Sequence, residues 1–188
     1  MQQKSDTTAG LLSAFGAELL YLAAGRGLAL MGLQGEAAAL IRTAGAALPV
    51  IGWARAAGLK LGLCRPRGGV VAPAGAFCLL AAAFALMMPR TPHSAGGIWT
   101  GVQLCLAAPL AEELVFRGAV QGFLQPLGGR TAVLVQAFLF AVQHSGAAGM
   151  LYAACMGLVL GWLRQRSASV LPGCVLHIVN NLLVLLAG

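Results

Sequence analysis

Apolar runs separated by short polar, Gly-rich or Pro-rich stretches recur along the chain at roughly 9–33, 38–57, 69–88, 98–124, 131–145, 147–163 and 169–187. Most approach the ~20 residues that a helix needs to cross the hydrocarbon core of a bilayer. The pattern predicts an all-α fold, a polytopic transmembrane helix bundle of about seven spans. The two runs flanking Ser145 are short, which leaves one long broken helix or a re-entrant pair as solutions; irregular backbone at membrane depth is tolerated where protein covers it. The first run follows a polar segment with a single Lys4. It is longer than a signal-peptide core and lacks a clear cleavage site, so it is expected to be retained as a span.

Composition supports lipid as the solvent. Of 188 residues, 59% are hydrophobic and 9% charged, against roughly 25% charged in ordinary soluble domains. The net charge of +7 does not indicate nucleic acid, because the basic residues are scattered between apolar runs and form no stripe with interleaved aromatics. Alternating the loops places Lys4, Arg55, Lys60, Arg65, Arg67, Arg130, Arg164 and Arg166 on one side and Arg90 on the other. The positive-inside rule makes the first side cytoplasmic. The expectation is an integral protein of a bacterial inner (plasma) membrane, with a cytoplasmic N-terminus and a main cytoplasmic loop from Arg55 to Arg67. The five cysteines show no C-x-x-C spacing and are expected to be small buried hydrophobes. Among the 26 glycines, Gly157 and Gly161 form one small-x-x-x-small pair, a packing device.

Five acidic residues exist, and two of them, Glu112 and Glu113, stand together in the apolar run Ala107-Ala-Pro-Leu-Ala-Glu-Glu-Leu-Val-Phe-Arg-Gly118. A carboxylate or guanidinium at mid-span costs about 2.5–3.5 kcal/mol on insertion scales, so these charges need pairing, water or a function. Glu113 and Arg117 are i and i+4, with the Glu N-terminal, the favourable orientation for an ion pair. Glu112 points about 100° away around the helix and finds only Val115 and Phe116 at i+3 and i+4, so its partner must come from another helix.

His144 and His177 lie in apolar surroundings, and His177 shares a helix face with Asn181 at i+4, with Asn180 directed elsewhere. A lone intramembrane His or Asn is commonly an interhelical hydrogen-bond partner worth under ~2 kcal/mol. A Glu-Glu-Arg set alone also fits a structural ion pair. Together, an unpaired carboxylate, two imidazoles and an amide supply the parts for water activation and oxyanion stabilisation. His93, in a Pro- and Gly-rich loop, is assigned no role. Glu18 and Arg26, two turns apart on one face of the first run, are read as structural.

Glu112-Glu-Leu-Val-Phe-Arg-Gly118, Phe140-Ala-Val-Gln-His144 and His177-Ile-Val-Asn-Asn181 resemble, in order, the E-E-x-x-x-R, F-x-x-x-H and H-x-x-x-N/D motifs of the CPBP family. That family comprises CAAX-type prenyl endopeptidases and bacteriocin-processing enzymes. The resemblance covers about 98–187; the N-terminal half is similar only in hydropathy and in Leu61-Gly-Leu63 before a span. It divides the chain into N-terminal helices with a basic loop (1–97) and a catalytic core (98–188) within one membrane domain. It implies that Glu112 is the general base polarising a water that His144 also holds. It implies further that His177 and Asn181 stabilise the oxyanion, and that Glu113, Arg117 and Phe140 support the site.

Glu112, His144 and His177 also match the ligand set of a hydrolytic zinc site. The H-E-x-x-H helix is absent, and the resemblance favours a glutamate mechanism with no metal cofactor, Zn2+ being the alternative. The implied partners are membrane lipid and a peptide or protein substrate, lipidated or bearing a C-terminal sorting tail. A proton-coupled transporter or a bacteriocin-immunity pseudoenzyme is the competing reading, since intramembrane Glu and His also build proton relays.

Overall fold

The computed structural model describes residues 2–69, 75, 77 and 97–187. Most of the expected span 69–88, together with Cys78, Arg90 and His93, lies outside the described residues. Among the described residues the chain is helical and contains no strand. The helices are α1 (Gln2–Leu30), α2 (Glu36–Ala56), α3 (Ile98–Phe123), α4 (Gly129–Ala141), α5 (Ala147–Ser167) and α6 (Leu171–Ala187). A 3-10 turn, Gln125–Leu127, links α3 to α4.

Four of these helices, α1, α2, α3 and α5, are long and apolar enough to cross a membrane, and α4 and α6 are shorter apolar helices. Each coincides with one of the predicted apolar runs. The two runs around Ser145 are separate helices, α4 and α5, joined through residues 142–146. Large apolar side chains such as Leu12, Leu134, Phe138, Leu151 and Val175 are exposed on the outside of the bundle. That is the arrangement of helices whose outer faces meet lipid.

Close helix contacts are made by small residues, because apolar side chains gain nothing from association when lipid is equally apolar. On α1 the inward positions include Ala14 and Ala17, both fully buried, and Gly10, where a Cβ would stand 2.5 Å from the Phe123 carbonyl oxygen. Gly157 of α5 lies against α4 so closely that a Cβ would be 2.9 Å from Ala137 Cα, and Gly161 meets the amide of Gln136. The Gly157/Gly161 pair is therefore the α4–α5 contact. The cysteine expectation needs correction: of the four described, only Cys174 is buried, while Cys64 and Cys155 are exposed and Cys105 is partly so. Cys64 is held in a loop and Cys155 lies on an outward face of α5.

The basic ends of the helices meet at one end of the bundle. The loop after α2 is strapped to the α5–α6 junction: Val170 N–H donates to Gly62 O (3.0 Å) and Arg67 N–H to Ser167 O (2.9 Å). Ser169 Oγ–H donates to Cys64 O at 2.6 Å. Gly62 has φ +78°, and a Cβ there would come within 2.8 Å of the Arg164 guanidinium, so only glycine fits both backbone and neighbour. The start of α3 lies at the opposite end of the bundle, where Gln103 donates to Thr43 near the start of α2.

Substituting Gly157 with Leu is expected to destabilise the bundle by about 1–3 kcal/mol through overpacking, with Gly149→Leu, where a Cβ meets nothing within 4 Å, close to neutral. Thermal unfolding of the two variants in detergent checks this.

Candidate active site

Pro109 sets the shape of α3. A proline inside a helix has no N–H and its ring collides with the carbonyl four residues earlier. The helix accommodates it by widening over Gln103–Ala107 into a π-helical stretch, a form often found at functional sites. There the Ala108 N–H bonds to Gln103 O, so the carbonyl of Leu104 loses its usual partner. Its next available partner in a π turn would be residue 109, which has no N–H to give. Asn181 of α6 fills the vacancy by donating from Nδ2 to Leu104 O at 2.8 Å. Asn181 is itself the end of a directed relay. Tyr152 O–H donates to Asn180 Oδ1, and Asn180 Nδ2 donates to Asn181 Oδ1 at 3.2 Å. The two neighbouring asparagines are thus bonded to each other, contrary to the expectation that Asn180 points away.

Just past Pro109, Glu113–Val120 forms a second π-helical stretch. The Glu113–Arg117 pair survives the change of winding, with Arg117 Nη1 at 3.0 Å from Glu113 Oε1 and both side chains fully buried. The nitrogens of Arg117 find no aligned acceptor beyond this contact. The guanidinium lies over the ring of Phe140 instead, 4.3 Å from its centroid, a desolvated cation–π contact worth about 2 kcal/mol. Phe140 supports the site in this direct sense. Its ring also meets His144 edge-on at 4.8 Å, Phe116 at 5.2 Å and His177 at 6.0 Å.

Glu113 Oε1 also accepts from His177 Nδ1 at 3.1 Å. A carboxylate only accepts, so the hydrogen sits on Nδ1, and the ring is turned with Nε2 toward Glu112. That nitrogen is 3.7 Å from Glu112 Oε2, beyond direct hydrogen-bond length and of the order at which a third group fits between. Glu112 is the more accessible carboxylate, its side chain 24% exposed. His144 stands on the turn after α4 with Nδ1–H donating to Phe140 O at 3.0 Å, which leaves Nε2 free to accept.

Two residues of this neighbourhood escaped the sequence reading. Gly173, one turn before His177, lets α6 approach Glu113; a Cβ there would be 2.5 Å from Glu113 Oε2. Its signal was a glycine four positions before a motif histidine. The other is Glu18, read as a structural residue of α1, whose Oε1 accepts from Gln143 Nε2 beside His144. Among the described residues, no three His, Cys, Asp or Glu side chains are gathered so as to hold a metal ion.

The fold and site define a polytopic membrane helix bundle with a buried Glu/His centre. The family model of type II CAAX prenyl endopeptidases, Rce1-like, matches residues 93–183, the segment that carries all three motifs, the helices α3 to α5 and most of α6. Over this segment, just under half of its length, the chain is similar to the Rce1-like family. No curated protein and no solved structure matches the chain.

Removing one member of a buried ion pair costs about 3–5 kcal/mol, whereas replacing both by apolar residues costs far less. Glu113→Leu is accordingly expected to destabilise strongly, and Glu113→Leu with Arg117→Met to recover part of that loss, as read by unfolding of the detergent-solubilised variants.

Proposed function

We propose that the chain is an intramembrane endopeptidase that hydrolyses a peptide bond of a membrane-associated polypeptide, using water activated by Glu112 without a metal. The observation that carries this reading is the 3.7 Å approach of His177 Nε2 to Glu112 Oε2, with the imidazole fixed from behind by Glu113. The carboxylate closer to the surface is left to work while its neighbour is consumed in holding the ring.

In this mechanism Glu112 accepts one hydrogen of the water and His144 Nε2 the other, which orients the oxygen lone pair toward the scissile carbonyl. Attack forms the new C–O bond as Glu112 takes the proton, and the carbonyl electron pair moves onto oxygen. When protonated, His177 presents Nε2–H to that oxyanion, and the second amide hydrogen of Asn181 is the further donor. Collapse breaks the C–N bond, and Glu112 returns the proton to the leaving amine. Glu113, Arg117 and Phe140 hold His177 and the π-helical turn in place.

Glu112 lies about 16 Å along α3 from Phe123, at 1.5 Å rise per residue, within the thickness of a bilayer. A substrate must therefore reach the site from the membrane, which suits a lipidated polypeptide or one bearing a C-terminal sorting tail. The functional division follows as 98–188 for the chemistry and 1–97 for supporting helices and the basic loop. We place the basic end in the cytoplasm with the N-terminus, by the positive-inside rule, in a bacterial inner membrane crossed about seven times.

The test uses purified protein in liposomes with a farnesylated peptide, its unlipidated counterpart and a peptide ending in a sorting tail, with products read by mass spectrometry. Cleavage of a membrane-anchored peptide is expected, and Glu112→Gln should reduce it by about 10²–10⁴-fold, the usual contribution of a general base. Full turnover in Glu112→Gln, or proton flux without cleavage by the wild-type protein, would overturn the assignment. Activity should survive a strong chelator; stoichiometric zinc by elemental analysis together with loss of activity on chelation would replace the metal-free mechanism.

A further inference from the structure

The ring of His144 makes one hydrogen bond, to the carbonyl of Phe140 in the preceding helix. The ring sits at the start of an exposed turn: Ser145 and Gly146 are exposed, and Gly146 has φ +75°. A histidine that shares a water with Glu112 needs its Nε2 held to a fraction of an ångström, and its two hydrogen bonds, from Nδ1 to Phe140 O and from its backbone N–H to Ala141 O, both reach back only to the last turn of α4.

A second hold comes from α1. Gln143, the residue before His144, donates from Nε2 to Oε1 of Glu18, 125 positions away in sequence. Glu18 is buried, 5% exposed, and its Oε2 has no hydrogen-bond partner. A carboxylate at this depth is expensive, and nothing in the packing of α1 asks for one. Its inward neighbours Ala14 and Ala17 are the small residues that a helix contact by itself would use. One turn on, the ring of Tyr21 meets Phe116 edge-on at 6.0 Å. One face of α1 therefore spans the two sides of the site, touching the π-helical turn of α3 through Tyr21 and the His144 turn through Glu18. The family match begins only at residue 93, so Glu18 lies outside it while its partner Gln143 lies within.

We propose that Glu18 is a positioning residue for His144: through Gln143 it clamps the α4–α5 turn against α1 and fixes the histidine relative to Glu112. The proposal rests on the peptidase reading for its catalytic consequence, though the clamp itself can be tested without turnover. A carboxylate oxygen and an amide oxygen can both accept from Gln143, so the oxygen, and not the charge, is what the clamp requires.

Four variants test it: Glu18→Ala, Glu18→Gln, Gln143→Ala and the double Glu18→Ala/Gln143→Ala. Misplacement of a reacting group by ~1 Å costs up to about 10²-fold, so Glu18→Ala and Gln143→Ala should each lower kcat by about tenfold or more with KM unchanged. The double variant should lose no more than either single one, since both remove the same contact. Glu18→Gln should restore most of the rate. Independently of cleavage, ¹⁵N-histidine NMR of the solubilised protein should show the His144 resonances, identified by their loss in His144→Asn, displaced in Glu18→Ala but not in Glu18→Gln, with those of His177 in place. Gln143→Ala repeats the measurement should Glu18→Ala not fold. His144 resonances unmoved in Glu18→Ala or Gln143→Ala, or losses that add in the double variant, would overturn the clamp. If the wild-type protein cleaves no peptide, the peptidase reading fails, and the resonances still decide whether the clamp exists.

Discussion

One buried oxygen carries the organisation of the site: Glu113 Oε1 lies 3.0 Å from Arg117 Nη1 and 3.1 Å from His177 Nδ1. In hydrocarbon a lone carboxylate, a lone guanidinium and an imidazole hydrogen would each be costly, and each here offsets the others. Because Arg117 is held on the same helix and His177 comes from α6, the shared oxygen locks α3 to α6 at a single register. Phe140 closes the arrangement from α4 by covering the guanidinium. The turn of the His177 ring toward Glu112 follows from this lock.

Pro109 contributes the second lock by a different route. It removes a backbone N–H from the middle of α3, the helix widens, and Leu104 O is left for the Asn181 amide. A helix irregularity thus becomes a docking point for a motif side chain. The Tyr152–Asn180–Asn181 relay brings α5 into the same network. Polar side chains of α3, α5 and α6 thus bond to one another and to a freed carbonyl, as suits a place where water cannot serve. Gly173 and Gly157 permit the necessary approach. A side chain at either position would separate the helices before the hydrogen bonds could form.

The hydropathy pattern made the helices readable because lipid enforces it: each span must be apolar over most of its length and satisfy its own backbone. The predicted runs coincide with all six described helices, and the ambiguity at Ser145 resolved into two helices because Gly157 and Gly161 allow them to pack side by side. The Glu113–Arg117 pair was legible for a local reason, i and i+4 being neighbours on any helical winding close to α. The three motifs were legible as a resemblance, and the family match falls on the same residues. What escaped was long-range or depended on backbone. His177 reaches Glu113 across 64 positions and Gln143 reaches Glu18 across 125, and no periodicity links residues on different helices. The relation between Asn180 and Asn181 was misjudged from ideal helical angles, which place successive residues apart and ignore the length of an amide that can turn back toward its neighbour.

By itself the sequence determined the solvent, the helices, the expensive charges and which of them had a partner one turn away, because these follow from composition and local spacing. Only the tertiary structure decided that α1 lends a carboxylate to the His144 turn, that a proline-freed carbonyl receives Asn181, and that His177 stands with its back to Glu113 and its free nitrogen toward Glu112. Those choices depend on how helices distant in sequence cross and rotate against one another. That geometry is set by which small residues allow close approach and which buried polar atoms must find a partner.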